Sequence, residues 1–359
     1  MLSKENIRKT LEGLINSEDY IAAEDLDGLR DAAFTFLENL DSDKIFKAEY
    51  DSTSKYYVSV NNTFKEIIQK YNMGDMLSAL KLLEDNLLDE KGNIKLNRDI
   101  LKENAALYRM RSQKGYNLYE REELFHIPIN KAKNIPSARY SINGFPCLYL
   151  GASLYVCWEE TRRTNIDKVN YVKMVPIKQI PFVTTLCPEK FEDETDVFQF
   201  FIFALCTKMA DNDYDAFQFQ YAFPELLLSI LIHSKDEAWG IKYVSARYFV
   251  KDGQFSLESL FYNYVIPKRG EIDSSDHLCS ELKAAFKVSD VKAFYVSRIY
   301  ENQVPHLRRT RPNEYENTHF GLLEKELKAT RHLEIKKADE TSKGPKSKLC
   351  DTCSEEISA

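Results

Sequence analysis

The sequence predicts an α+β protein preceded by an all-helical N-terminal domain. Residues 1 to about 100 place apolar side chains at helical spacing. From Ala105 the texture changes to short runs rich in β-branched and aromatic residues, separated by helical segments. Beyond about residue 325 the chain is polar and offers no apolar face. The alternation of strands and helices over 105–300 admits α/β as well as α+β.

In the first hundred residues, Leu29, Ala33, Phe36, Leu37 and Leu40 share a helical face. Asn62 can cap a helix carrying Phe64, Ile67, Ile68 and Tyr71. Asp75 can cap one carrying Met76, Leu80, Leu83 and Leu87. Between Leu40 and Asn62, 55-KYYVSV reads as a short strand or an irregular link. No catalytic constellation appears here. The expectation is a helical accessory domain over 1–100, used for packing or assembly, a homodimer included.

The segment 105-AALYRMR reads as a strand that delivers Arg109. The stretch 117–140, with two prolines, reads as a loop. Next, 147-CLYLG reads as a short buried strand stopped by Gly151, and Ser153 as the N-cap of a helix through Thr161. Segments 169-VNYVKMVPI and 180-IPFVTTL read as strands. The run from Val197 is a strongly apolar helix, and Phe223–His233 is another, with Pro224 in its first turn. After Gly240, 241-IKYVSARY reads as a strand. Residues 301–332 form a C-terminal extension, and 333–359 a disordered polar tail.

Composition bounds the function. The 359 residues suffice for two domains, and a net charge of −7 argues against non-specific nucleic-acid binding, which needs a basic surface. The 21 Tyr and 21 Phe suit either planar-ligand pockets or an aromatic core; composition favours the core. The charged N-terminus has no apolar h-region, and no stretch is long enough to span a bilayer. The seven cysteines show no framework spacing, which suits free thiols in a cytoplasmic setting. Cys350 and Cys353 have metal-ligand spacing, but no second pair completes a zinc site, so no metal is expected.

Taken singly, the polar residues of 138-ARYSINGFPCLYLGASLYVCWEE have plain readings. Arg139 is a solvated surface group, Tyr149 a core residue and Glu160 an exposed helix charge. Later in the chain, Ser245 is strand filler. Together they form a pattern. The run LYRMR, then ARYSINGFPCLYLGASLYVCWEE, then 240-GIKYVSAR resembles the RES domain family, named for its Arg, Glu and Ser. That family runs from an Arg-x-Arg strand, through an Arg-Phe/Tyr pair before a Gly turn and a strand Tyr, to a helical Glu. It closes on a Gly-Ile-x-Tyr-x-Ser-x-Arg-like segment. Every station is present in order over about 105–300, and 125-FHIP and 221-YAFPELLL fit as well. Two features depart: Glu225 stands where many relatives carry Gln, and the interval from Arg109 to Arg139 is long, as for an elaborated loop.

The resemblance implies an ADP-ribosyltransferase-like fold and an NAD⁺-degrading bacterial toxin, which cleaves the nicotinamide–ribose bond by hydrolysis or phosphorolysis. NAD⁺ is then substrate, phosphate a co-substrate under phosphorolysis, and no cofactor is called for. A helix-turn-helix antitoxin is the implied partner. Catalytic roles fall to Glu160, Arg109 and Ser245, and substrate binding to Arg139, Tyr149, Tyr140 and Ser153. Guanidinium groups grip phosphate oxygens bidentately, which suits Arg109 and Arg139. The Gly151-Ala152-Ser153 turn opens a helix N-terminus toward phosphate. Tyr149 offers a flat face to nicotinamide or holds its ribose. Nicotinamide leaves neutral, so a carboxylate that stabilises an oxocarbenium-like ribose suffices, and Glu160 takes that part. Ser245 hydrogen-bonds the ligand or the carboxylate; no His base makes it a nucleophile.

Two pairs are ambiguous. Glu159 and Glu160 point about 100° apart on a helix; the face shared by Ser153, Val156, Cys157 and Glu160 favours Glu160. Arg109 and Arg111 share a strand face, and the family pattern favours Arg109. Two other functions fit the same residues: transfer of ADP-ribose to a macromolecule, or a non-catalytic interaction module.

Overall fold

The computed structural model describes residues 4–112, 118–135, 138–209, 218–249, 259–294, 315–316, 318–329 and 333–334. The helical region runs through α1 (Lys4–Glu12), α2 (Glu18–Ala22), α3 (Leu26–Ser42), α4 (Lys44–Asn72) and α5 (Met76–Leu87). Four of these helices, α2 to α5, start at a side-chain cap. Ser17 accepts from the Tyr20 N–H, Asp25 from Gly28, Asp43 from Ile45 and Phe46, and Asp75 from Ser78.

One expectation fails here. Residues 55–60 are neither strand nor link but the middle of α4, and Asn62 caps nothing. Tyr57, Val60, Phe64, Ile67 and Ile68 are buried at helical spacing. That burial overrides the β propensity of the Tyr-Tyr-Val run. The true cap is Asp43.

The strands are β1 (Arg98–Leu101), β2 (Leu107–Ser112), β3 (Cys147–Gly151), β4 (Val169–Pro176), β5 (Ile180–Thr184), β6 (Gly240–Val244), β7 (Tyr262–Pro267), β8 (Phe286–Val288), β9 (Lys292–Ala293) and β10 (Leu333–Glu334). They form one mixed sheet in the order β1-β5-β6-β7-β3-β2-β4-β8-β10, with β9 also on β4. Only β5 and β6 pair in parallel among these strands. Between them come α6 (Leu154–Glu160), α7 (Glu194–Thr207), α8 (Ala222–His233), α9 (Ala246–Phe249) and α10 (Ser280–Ala285); α11 (His319–Ala329) follows β9. The strand expected from Ile241 to Tyr248 stops at Val244, and α9 begins at Ala246. Of the tail expected to be disordered from 333, the first two residues pair with β8. The rest, with Cys350 and Cys353, lies outside the described residues. No described helix is long and apolar enough to cross a membrane.

Strand alternation divides the core in two. Tyr108, Met110, Cys147, Val183, Ile241 and Val265 face one apolar cluster; Leu107, Leu148, Leu150, Phe182 and Ile266 face the other. The first cluster is continuous with the N-terminal helices, so helical region and sheet share one core. Their link is α7, buried along almost its whole length, as a helix apolar on all sides must be. Phe64 of α4 packs on Phe198 and Phe201 of α7, with ring centroids 4.8 and 5.2 Å away. Gln199 of α7 donates to the Thr184 and Leu186 carbonyls and accepts from the Asn97 N–H, so its buried amide is satisfied.

The sheet forks at its centre. β3 pairs with β7 over five residues and β2 with β4 over six. Between β2 and β3 the only ladder position is Tyr108 opposite Gly151. Beyond that point the two strands separate, and the gap between them opens into a cavity.

Candidate active site

The cavity encloses about 580 Å³ at the mouth of the fork. That is room for a ligand larger than a single nucleobase. Arg109, Arg139, Arg162 and Arg247 line it, and Glu160 is the one acidic side chain among the described lining residues. A chain of net charge −7 has therefore gathered four guanidinium groups around one carboxylate. Such a site attracts a ligand of more than one negative charge.

Arg109 enters through the gap. Alternation with Tyr108 and Met110 aims it toward the second core, yet its Nη1 donates to the Tyr149 carbonyl at 2.8 Å. It thus satisfies a carbonyl at the fork, where β2 and β3 no longer pair. Its Nε is buried without a hydrogen-bond partner among the described residues. Burial, with Arg111 adding repulsion, lowers its pKa to about 10, so it stays charged at neutral pH. Arg111 goes elsewhere: its Nη1 donates to the Glu123 carbonyl at 2.7 Å, and the guanidinium lies over Tyr119.

Glu160 stands at the end of α6. Ser153 caps that helix, accepting from the Val156 N–H at 3.0 Å while donating to the Leu260 carbonyl at 2.6 Å. Gly151 lets α6 lie close to β3. A Cβ there would sit 2.6 Å from Val156 Cγ1 and 2.7 Å from Cys157 Sγ. Glu160 Oε1 accepts from Asn263 Nδ2 of β7 at 2.8 Å. Glu159 is buried on another face of the helix and pairs with Arg163 at 2.9 Å. Of the two adjacent glutamates, Glu160 reaches the cavity.

Arg139 lines the cavity from the far side, where it also tethers the end of α7. Its Nη1 donates to the Cys206 carbonyl at 3.0 Å and its Nη2 to the Lys208 carbonyl. A cation there meets the negative end of the helix dipole. The Gly turn after it is present at Gly144, with φ 75°. Tyr149 lines the cavity, its hydroxyl donating to the Tyr140 carbonyl at 2.9 Å. Tyr140 itself is fully buried, with φ 55°, its hydroxyl 2.6 Å from Thr185 Oγ1 and its ring 4.6 Å from that of Tyr243. It supports Tyr243, which does line the cavity.

The structure thus brings Arg109, Arg139, Tyr149 and Glu160 to one cavity. Tyr140, Ser153 and Ser245 lie behind the wall. Ser245 is fully buried; its N–H donates to the Phe261 carbonyl at 2.9 Å, and its Oγ accepts from the Arg247 N–H at 3.3 Å. It turns the chain from β6 into α9 and so points Arg247 at the site.

One curated protein is similar to this chain. "Putative toxin YopC" of Bacillus subtilis (strain 168) is 28% identical over 268 residues, which cover 67% of this chain. The chain spans 60% of that relative's length. No family model matches the chain, and no solved structure matches it.

Sequence reasoning missed Asn263, Tyr243, Arg162 and Arg247 as cavity residues. Arg247 closes the Gly-Ile-x-Tyr-x-Ser-x-Arg-like segment, and Tyr243 stands in its middle, so that signal was present. Asn263 had none: its role depends on β7 lying beside β3, a pairing between distant segments of the chain. Arg162 follows α6 in the left-handed conformation, φ 60°, which no local pattern announces.

Proposed function

We propose that this chain is a toxin that cleaves NAD⁺ at the nicotinamide–ribose bond, as a RES-type protein with an ADP-ribosyltransferase-like fold. One observation carries the reading: an accessible carboxylate, Glu160, is fixed by Asn263 in a cavity otherwise ringed by guanidinium groups. The match to a relative named as a toxin supports the biological role. The family resemblance over 105–300 and the fork in the sheet at the cavity support the chemistry.

In this reading Arg109 and Arg139 bind the pyrophosphate, and Tyr149 and Tyr243 flank the nicotinamide end. The C1′–N bond breaks, and its electron pair leaves with nicotinamide, which departs neutral. Glu160 stabilises the oxocarbenium-like ribose. Water adds to C1′ and releases a proton, giving ADP-ribose; phosphate in its place gives the 1″-phosphate of ADP-ribose. Asn263 orients Glu160. Ser245, Ser153 and Tyr140 position the groups that touch the ligand.

The test is release of nicotinamide from NAD⁺ by the purified full chain and by Glu160→Gln, with and without phosphate. Release by wild type alone is expected. A phosphate requirement identifies phosphorolysis. Equal release by both proteins removes Glu160 from the mechanism. Labelling of a protein by ADP-ribose without free product would replace hydrolysis by transfer.

A further inference from the structure

The C-terminal helix α11 lies outside the span of the family resemblance, yet one of its side chains sits at the base of the fork. Glu324 is buried. Its Oε1 accepts from the Leu154 N–H, in the first turn of α6, at 2.7 Å. The same oxygen accepts from the Tyr315 hydroxyl at 2.6 Å. Burial raises the pKa of the Tyr108 phenol, and the negative charge of Glu324 nearby raises it further. Tyr108 is the one residue at which β2 still pairs with β3. Its carbonyl also accepts from Cys157 Sγ on α6 at 3.3 Å.

Packing makes this contact specific to α11. Phe320 of α11 meets Tyr155 and Trp158 of α6, each with centroids 5.7 Å apart. It also meets Phe294 at 5.6 Å. Gly321 lets the chain fold closely, since a Cβ there would lie 2.1 Å from the Tyr315 carbonyl oxygen. The carboxylate is thus delivered by a well-packed element and held by two donors, the Leu154 N–H and the Tyr315 hydroxyl.

We propose that Glu324 is a positioning residue for the active site, anchoring the first turn of α6 so that Cys157 stays against the Tyr108 carbonyl of β2 and Glu160 and Arg109 face one cavity. It touches no ligand. It acts by fixing the distance between the helix that carries the carboxylate and the strand that carries the arginine. A buried hydrogen-bonded carboxylate suits this work, because moving either partner strands an unsatisfied group away from water.

Cys157 reports the geometry without reference to any substrate. The residue is almost fully buried, its thiol is turned to the Tyr108 carbonyl of β2, and burial pushes its pKa up to about 12, so alkylation requires α6 to move from β2. The full chain would be treated with iodoacetamide, and each cysteine followed by peptide mass spectrometry. Cys187 in the first core and Cys279 in the second serve as references, since both are buried. In Glu324→Ala, loss of a buried acceptor raises labelling of Cys157 about tenfold, with Cys187 and Cys279 unchanged. Glu324→Gln keeps an acceptor for Leu154 and removes the charge, so it stays protected; this separates geometry from the effect of the carboxylate on the thiol. Tyr315→Phe gives a smaller rise. Protection of Cys157 in Glu324→Ala, or equal exposure of all three cysteines, overturns the proposal.

A second arm rests on the NAD⁺ reading: Glu324→Ala lowers kcat for nicotinamide release with KM little changed, and Glu324→Gln restores it. Absence of release by wild type would sink that reading, while the labelling pattern still decides the role of Glu324.

Discussion

Asn263 of β7 donates to Glu160 at the end of α6 at 2.8 Å, joining the sheet to the helix across the cavity. The amide is almost fully buried while the carboxylate is exposed. One partner is therefore fixed and aims the other. Asn263→Ala frees the carboxylate to rotate. Loss of one such bond costs about 1 kcal/mol of stability, so the fold persists. Under the proposed reaction, turnover of NAD⁺ falls by about tenfold or more, as for a misplaced catalytic group. Steady-state kinetics beside a thermal melt would check both. Asn263→Asp is sharper: it replaces the donor by a second carboxylate that repels Glu160, so under the proposed reaction turnover falls further than in Asn263→Ala. Equal turnover in the two variants would remove Asn263 from contact with Glu160.

Arg109 donates through Nη1 to the Tyr149 carbonyl at the fork, and in the proposed function the same cavity-lining guanidinium also meets the ligand. Lysine keeps the charge but has no fork with which to serve both. If NAD⁺ is the substrate as proposed, Arg109→Lys raises its KM by about tenfold, the value of one charge-assisted hydrogen bond. Arg111→Lys, directed to the Glu123 carbonyl, leaves KM near wild type. A larger effect at Arg111 than at Arg109 would reverse the assignment of the first family arginine.

Gly151 permits α6 to rest on β3. In Gly151→Ala, the new methyl meets Val156 Cγ1 and Cys157 Sγ inside contact distance and approaches the Ser153 carbonyl to 3.2 Å. Overpacking of this kind costs about 1–3 kcal/mol. Urea denaturation would read the loss. Activity should fall more than stability, because the displaced element is the one that carries Glu160.

Much of this was legible in the sequence, and the limits have a physical form. Runs such as 107-LYRMR and 147-CLYLG announced strands because their alternation is local, and Asp75 and Ser153 announced helix starts because capping is local. Helical spacing separated Glu160 from Glu159 for the same reason. What failed depended on tertiary packing. Residues 55–60 joined α4 because the helix buries one face on α3 and α7. Tyr140, Ser153 and Ser245 fit the family motif, yet they support the wall, since a motif fixes order in the chain and not exposure. The fork was invisible, because it is a pairing that β2 and β3 fail to make.

His126, in the family-like run 125-FHIP, sets a pH dependence of stability. Its ring is buried, with Nδ1 donating to the Ile127 carbonyl at 2.9 Å and Nε2 accepting from the Cys279 N–H at 2.8 Å. Those partners require the neutral ring with its proton on Nδ1. Burial lowers the pKa to about 4, helped by Arg109 and Lys283 and opposed by the bond to Ile127 and by Asp276. The unfolded chain has an ordinary histidine near 6.5 and so binds more protons than the native protein below that pH. The stability this ring contributes is complete above about pH 6.5 and is lost as pH falls toward 4, up to roughly 3 kcal/mol in all. Urea midpoints of wild type and His126→Gln, taken from pH 7 to pH 4, would isolate it. The gap between the two proteins should narrow on acidification, because only the wild type gives up this term. A gap constant with pH would mean that His126 is as easily protonated in the fold as outside it.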